Sequence, residues 1–333
     1  MLSPILIFGA GIHSQWILNE KIKEQGLESD AEVLRSWGAL LRAVSLREGI
    51  FDAFSPLLCN EMPTLQWERL VQAYVASRGL VDRSFEAERH LKKSIADILN
   101  QAAKSVECAV DFEKMAELAG VLGRHTLSLN MDTLFCRLRE GSIPNILKSR
   151  REYAVSIGDD TLWFPHGSTE RSELIAFGVR RYGHLPSAWS AKFKNFKAAE
   201  RRDRHGKSDR NIVKNLSDMQ SQLAYRKSSR SLSLMHHLLA APLIIFGASL
   251  SREEWGIWWL LNQRARNLAR LPKHEKPPTR IVISATDSRL AFWTSQPVEI
   301  LPILTENWSD AWNILIDWMS SQNELARGGG RVS

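Results

Sequence analysis

Four short apolar runs, far apart in the chain, each end on a small or polar cluster, and that pattern constrains the fold more than any other feature. Pro4-Ile5-Leu6-Ile7-Phe8 runs into Gly9-Ala10-Gly11, and Thr126-Leu127-Ser128-Leu129 runs into Asn130-Met131-Asp132. Thr161-Leu162-Trp163-Phe164-Pro165 runs into His166-Gly167, and Leu243-Ile244-Ile245-Phe246 into Gly247-Ala248-Ser249. Apolar runs of this length between turn signals read as buried strands of a parallel sheet. In an open α/β sheet ligands bind beyond the carboxyl ends of the strands, so the four clusters are expected around one crevice. The fold expected is α/β, a Rossmann-like, mostly parallel sheet with helical insertions.

Between the strands the patterning is helical. Residues 13–26 read as one helix after the first glycine turn, and residues 30–120 as an all-helical insertion of four or five helices with breaks near residues 60–63 and 78–79. Alternation over residues 153–157 and again over 161–164, about Gly158-Asp159-Asp160, predicts a hairpin whose second strand delivers His166. Residues 168–230 form a second helical insertion. Strands are expected at 279–284 and 298–302, helices at 252–271 and 308–319, and a frayed tail at 327–333, so that residues 1–326 make one domain.

Hydrophobic residues make up 44% and charged residues 24% of the 333, an ordinary globular balance. No stretch approaches 20 apolar residues, and the first apolar run is too short for a signal-peptide core, so the expectation is a cytoplasmic protein without a membrane segment. Cys59, Cys108 and Cys136 are odd in number and widely spaced. They encode neither a disulfide framework nor a zinc site and are expected as buried thiols; no metal is expected. The net charge of +7 is concentrated: residues 192–230 hold twelve Lys or Arg against four acids. Such a segment either meets nucleic acid, an acidic partner or ligand phosphates, or is a solvated helical face.

The strand-end clusters carry the chemistry. Gly9-Ala10-Gly11 lets backbone approach a phosphate at a helix N-terminus, though a plain strand-to-helix turn uses the same residues. Asn130 and Asp132, at i and i+2, can point into a cleft or cap the helix that follows. His166, on a glycine-flanked turn, suits a general base near neutral pH. Gly247 and Ser249 repeat the logic of the first turn, with a hydroxyl for a phosphate or ribose. His236 and His237, and the tryptophans at 255, 258 and 259, read as packing.

Taken in this order, Gly9-Ala10-Gly11-Ile12, Asn130-Met131-Asp132, His166-Gly167 and Gly247-Ala248-Ser249-Leu250 resemble the sirtuin superfamily. The closer resemblance is to the sirtuin-like NAD-cleaving domains of bacterial anti-phage defence systems, and it runs from about residue 4 to residue 320. It implies NAD as substrate, with Asn130 and His166 catalytic and with Gly9, Ala10, Gly11, Ile12, Asp132, Gly247 and Ser249 binding the dinucleotide. It also implies a homo-oligomer or a regulating partner such as a DNA-translocating ATPase, with nucleic-acid contact through residues 192–230. Two departures set the chain apart from sirtuin deacylases: no Cys-x-x-Cys zinc module is encoded, and Ile12 continues into His13-Ser14-Gln15 instead of a Gly-Ile-Pro-Asp-Phe-Arg loop. A hydrolase that cleaves NAD is therefore expected ahead of an NAD-dependent deacylase or a non-catalytic NAD-binding scaffold.

Overall fold

A computed structural model describes residues 2–50, 63–80, 83–123, 125–136, 154–157, 160–178, 237–248, 250, 254–269, 271–287, 290–291 and 300–328. Among the described residues seven strands form one sheet: β1 (Ile5–Phe8), β2 (His125–Ser128), β3 (Ala154–Ile157), β4 (Asp160–Trp163), β5 (Leu243–Phe246), β6 (Thr279–Ser284) and β7 (Leu301–Thr305). Their order is β3-β4-β2-β1-β5-β6-β7. All neighbours are parallel except β3 and β4, the expected hairpin, with Ile157 opposite Asp160. With β3 set aside, the parallel strands follow the 3-2-1-4-5-6 order of dinucleotide-binding sheets. The fold is Rossmann-like α/β.

β1 and β5 are buried along their whole length because both sheet faces are covered. Alternate side chains divide between two cores, as the two-residue period of a strand requires. Leu6, Phe8, Ile244 and Phe246 face a helical layer, while Ile5, Ile7, Leu243 and Ile245 face the other side. The first layer holds α3 (Glu28–Arg35), α4 (Trp37–Arg47), α5 (Pro63–Arg78), α6 (Ser84–Val106) and α7 (Phe112–Val121), joined by α9 (Ala311–Gly328) near the far edge. Against the other face packs α8 (Trp255–Leu268) through Ile257, Leu260 and Leu261. α4 and α7 begin on side-chain caps: Ser36 Oγ accepts from the Ala39 amide at 3.3 Å, and Asp111 Oδ1 from the Lys114 amide at 3.1 Å.

The structure departs from the sequence reading in several places. The helix expected over 13–26 is two, α1 (His13–Trp16) and α2 (Asn19–Glu24), because Ile17 makes an antiparallel bridge to Val110. The Leu18 amide donates to the Ala109 carbonyl at 2.9 Å and the Asp111 amide to that of Trp16 at 2.7 Å, so tertiary pairing takes over the helix's own hydrogen bonds. β7 lies three residues later than expected and accommodates Pro302, which an edge strand tolerates. α9 runs nine residues beyond the expected end at 319 and crosses the boundary set at 326. Cys136 is buried as expected, but Cys108 is exposed, at the end of α6. Cys59 and residues 179–236, which include His236 and the basic 192–230 segment, lie outside the described residues. Among the described residues no helix is long and apolar enough to cross a membrane.

A candidate ligand site at the carboxyl ends of the sheet

The register brings the strand-end clusters to one edge. Phe8 lies opposite both Ser128 and Phe246, and Leu127 opposite Trp163, so Gly9, Leu129 and Gly247 leave the sheet at one level and Phe164 one residue earlier. β1 and β5 flank the point where the strand order reverses, the place where such sheets open a crevice.

The two glycine turns are locked against each other. The Gly9 amide donates to the Phe246 carbonyl at 3.0 Å, and the Gly11 amide to the Gly247 carbonyl at 2.8 Å. A Cβ on Gly9 would lie 2.8 Å from the Ala248 Cα, and one on Gly11 2.8 Å from the Gly247 Cα, closer than side chains come. Gly247 itself has φ +60°, and its Cβ would lie 2.5 Å from the Ile12 nitrogen. All three glycines thus answer a close approach of backbone to backbone. Ile12 is wholly buried in the core, whereas Ala10 lines a cleft. Ser249 lies outside the described residues.

That cleft lies between the ends of β1 and β2 and the helical layer. Its enclosed space is about 30 Å³, and about 300 Å³ with its open mouth included. Its polar side is Asn130 and Asp132, and its apolar side includes Leu34, Trp37, Leu40 and Leu99.

Behind the polar side is a residue that the sequence reading passed over. His13, at the start of α1 and 1% exposed, places Nε2 3.0 Å from Asp132 Oδ2, and Nδ2 of the Asn130 carboxamide lies 3.2 Å from the same nitrogen. The opposite ring nitrogen, Nδ1, accepts the Trp16 indole N–H at 3.0 Å. Trp16 is held by Phe135, stacked at 5.7 Å, and by Phe8 and Trp312 edge-on. Asp132 caps as expected, Oδ1 accepting the Leu134 amide at 3.1 Å, while Oδ2 meets His13 and the residue lines the cleft. Burial alone would raise its carboxyl, but the His13 imidazole and the Leu134 amide outweigh burial and hold it below the ordinary carboxylate value. The Asn130 backbone is fixed by Ser128 Oγ, which accepts its amide at 3.2 Å.

His166 leaves β4 as far beyond Trp163 as Asn130 leaves β2 beyond the paired Leu127. Its side chain is 1% exposed, and Nε2 lies 3.0 Å from Glu254 Oε2, on the residue preceding α8. The turn is pinned from three sides: Gly167 donates to Phe164, Ala176 to the His166 carbonyl and Thr169 to that of Met131, the last tying it to the Asn130 loop at 2.9 Å. Gly167 has φ +81°, and the Leu174 carbonyl would meet its Cβ at 2.5 Å. His237 packs edge-on against His125 at the opposite, amino end of β2, as expected of a structural histidine.

Asn130, Asp132 and Ala10 therefore meet at one cleft, Gly9, Gly11 and Gly247 form the lock beside it, and His166 stands on the adjoining strand end with Glu254. The sequence reading missed His13 and Glu254. A polar residue after a glycine turn with a tryptophan at i+3 is the faint local trace of His13, and nothing near Glu254 marks it. Among the described residues no three His, Cys, Asp or Glu side chains converge to hold a metal ion. No protein-family model matches the chain, and no curated protein matches it.

Proposed function

We propose that this chain is an NAD glycohydrolase of the sirtuin-like kind, releasing nicotinamide and ADP-ribose. The observation that carries the reading is the meeting of Asn130, Asp132 and Ala10 at a cleft beside the switch point of a Rossmann-ordered sheet, with His166 on the next strand end.

In the proposed reaction the bond between the ribose C1′ and the pyridinium nitrogen breaks, its electron pair leaving with neutral nicotinamide. Water attacks the oxocarbenium-like carbon, and its proton passes to His166 and on to solvent. Positioning and charge stabilisation matter more here than a strong nucleophile. Asn130 orients the ribose or the attacking water, Asp132 holds the nicotinamide ribose or carboxamide, and Glu254 positions the His166 ring.

A cytoplasmic NADase that is always active would kill its host. The reading therefore includes a role as an effector in anti-phage defence, held in check until self-association or a partner such as a DNA-translocating ATPase engages it. The helical layer is the surface proposed for those contacts, together with the basic sequence 192–230, which lies outside the described residues. A second reading is a non-catalytic NAD-binding scaffold. In either reading the Gly9 and Gly11 amides are engaged by β5 and its turn, so the glycines contribute the close approach of the ligand to the turn and not those two N–H groups.

The deciding experiment follows NAD loss and nicotinamide release by the purified chain, dilute and at concentrations that drive self-association. Asn130→Ala and His166→Ala should each lower turnover by about two decades or more, the usual cost of an orienting or acid–base group. Near-wild-type turnover in both variants refutes the assignment, and tight NAD binding without turnover under every condition selects the scaffold.

A further inference from the structure

We infer that His13 is a positioning residue that holds the Asn130 carboxamide with its nitrogen toward the cleft, so that the site recognises a ligand atom able to accept a hydrogen bond. The inference rests on the NADase reading for the ligand's identity, but not for the geometry.

An indole nitrogen only donates, so the Trp16 contact at 3.0 Å requires a lone pair on Nδ1 of His13. The ring proton therefore sits on Nε2, where it points at Asp132 Oδ2, 3.0 Å away. The carboxylate is held ionised by its surroundings and so accepts only, which agrees with that tautomer. A protonated Nε2 cannot receive a second N–H, yet the Asn130 carboxamide comes within 3.2 Å of it. Turning the amide end for end only exchanges its Oδ1 and Nδ2 positions, and it replaces a donor facing a donor with an oxygen that shares the Nε2 proton. The NH₂ group is then the end left for the cleft that Asn130 lines.

The chain Trp16–His13–Asn130 thus converts one buried indole N–H into the polarity of a group at the cleft. Asp132, at the same cleft, presents acceptors, so the two side chains impose complementary demands: a ligand acceptor at Asn130 and a donor at Asp132. A ribose hydroxyl or a primary carboxamide can satisfy both. In the proposed reaction Asn130 then acts as a donor, and the water's proton is left to His166.

The test begins with wild-type protein carrying ¹⁵N-labelled histidine, the His13 resonances being identified by their loss in His13→Gln. Long-range ¹⁵N–¹H correlation should show a bare Nδ1 and a protonated Nε2. An Nδ1–H ring, or one protonated on both nitrogens at neutral pH, overturns the inference whether or not the protein cleaves NAD. The second arm is Trp16→Phe, which removes the donor while keeping an aromatic ring. It should give a mixture of tautomers and lower kcat about tenfold with KM little changed, as expected when an orienting hydrogen bond is lost. His13→Gln, which keeps a side-chain donor, should retain more activity than His13→Ala. An unchanged tautomer together with an unchanged kcat in Trp16→Phe overturns the inference. A wild-type chain that never turns over NAD refutes the NADase reading alone, and the tautomer measurement still decides this one.

Discussion

Asp132 shows how one side chain can hold a loop and shape a cleft together. Its carboxyl lies below its ordinary value, so its contribution to stability is present above the unfolded pKa, near 3.9, and is lost as pH falls through the lower folded value. Asp132→Asn should therefore be less stable than wild type at pH 7, with the gap closing toward pH 3; denaturant unfolding at both pH values measures it, and an equal gap at both denies the carboxylate this role. The residues of the site differ in how far the sequence discloses them. Asn130, Asp132 and His166 follow apolar strands directly, and strand ends are where such sheets place ligands. His13 and Glu254 are defined by partners 119 and 88 residues away, a relation that no local pattern encodes. The glycines were legible as glycines, but their reason, a mutual lock of two turns, emerges only when β1 and β5 are neighbours.

At the scale of elements, the buried strands were plain in the sequence because a parallel sheet covered on both faces needs unbroken apolar runs, which β1 and β5 supply. Elements governed by tertiary pairing were not: α1 stops where Ile17 bridges to Val110, and β7 carries a proline that normally ends a strand. The docking of α8 depends on Arg264, 1% exposed. Its guanidinium donates to the carbonyls of Leu238 and Pro277 at 2.9 and 2.8 Å and to Thr279 Oγ1 at 3.0 Å, tying the helix to the segments that lead into β5 and β6. Burial pushes its pKa down to about 9, which still leaves it charged at neutral pH. Arg264→Leu would strand these acceptors, each costing about 1–3 kcal/mol, so a loss of roughly 3–5 kcal/mol is expected in equilibrium unfolding. A loss under about 1 kcal/mol would mean that the acceptors find other partners.

For the molecule as a whole, the helical layer is no appendage. One continuous core includes Leu6 and Phe8 of β1, Leu41 of α4, Leu70 of α5, Leu91 of α6, Leu118 of α7 and Trp312 of α9. Helices that share their core with the sheet should melt with it. Far-UV dichroism, dominated by the helices, and tryptophan fluorescence, which averages twelve tryptophans including Trp16 and Trp312 beside the sheet, should give superimposable denaturant transitions. Separate midpoints would show the layer to be an independent unit. The strand order carries one more consequence, for the chain as it is made. β1 occupies the centre of the sheet and is made before its partner β5, which begins only at Leu243. At about 5–20 residues per second, the ribosome delivers that partner on the order of ten to fifty seconds later. For all that time an Ile-Leu-Ile-Phe segment lacks the neighbour that covers one of its edges, an interval in which a chaperone or an early-folding helical layer has to stand in for the unfinished sheet.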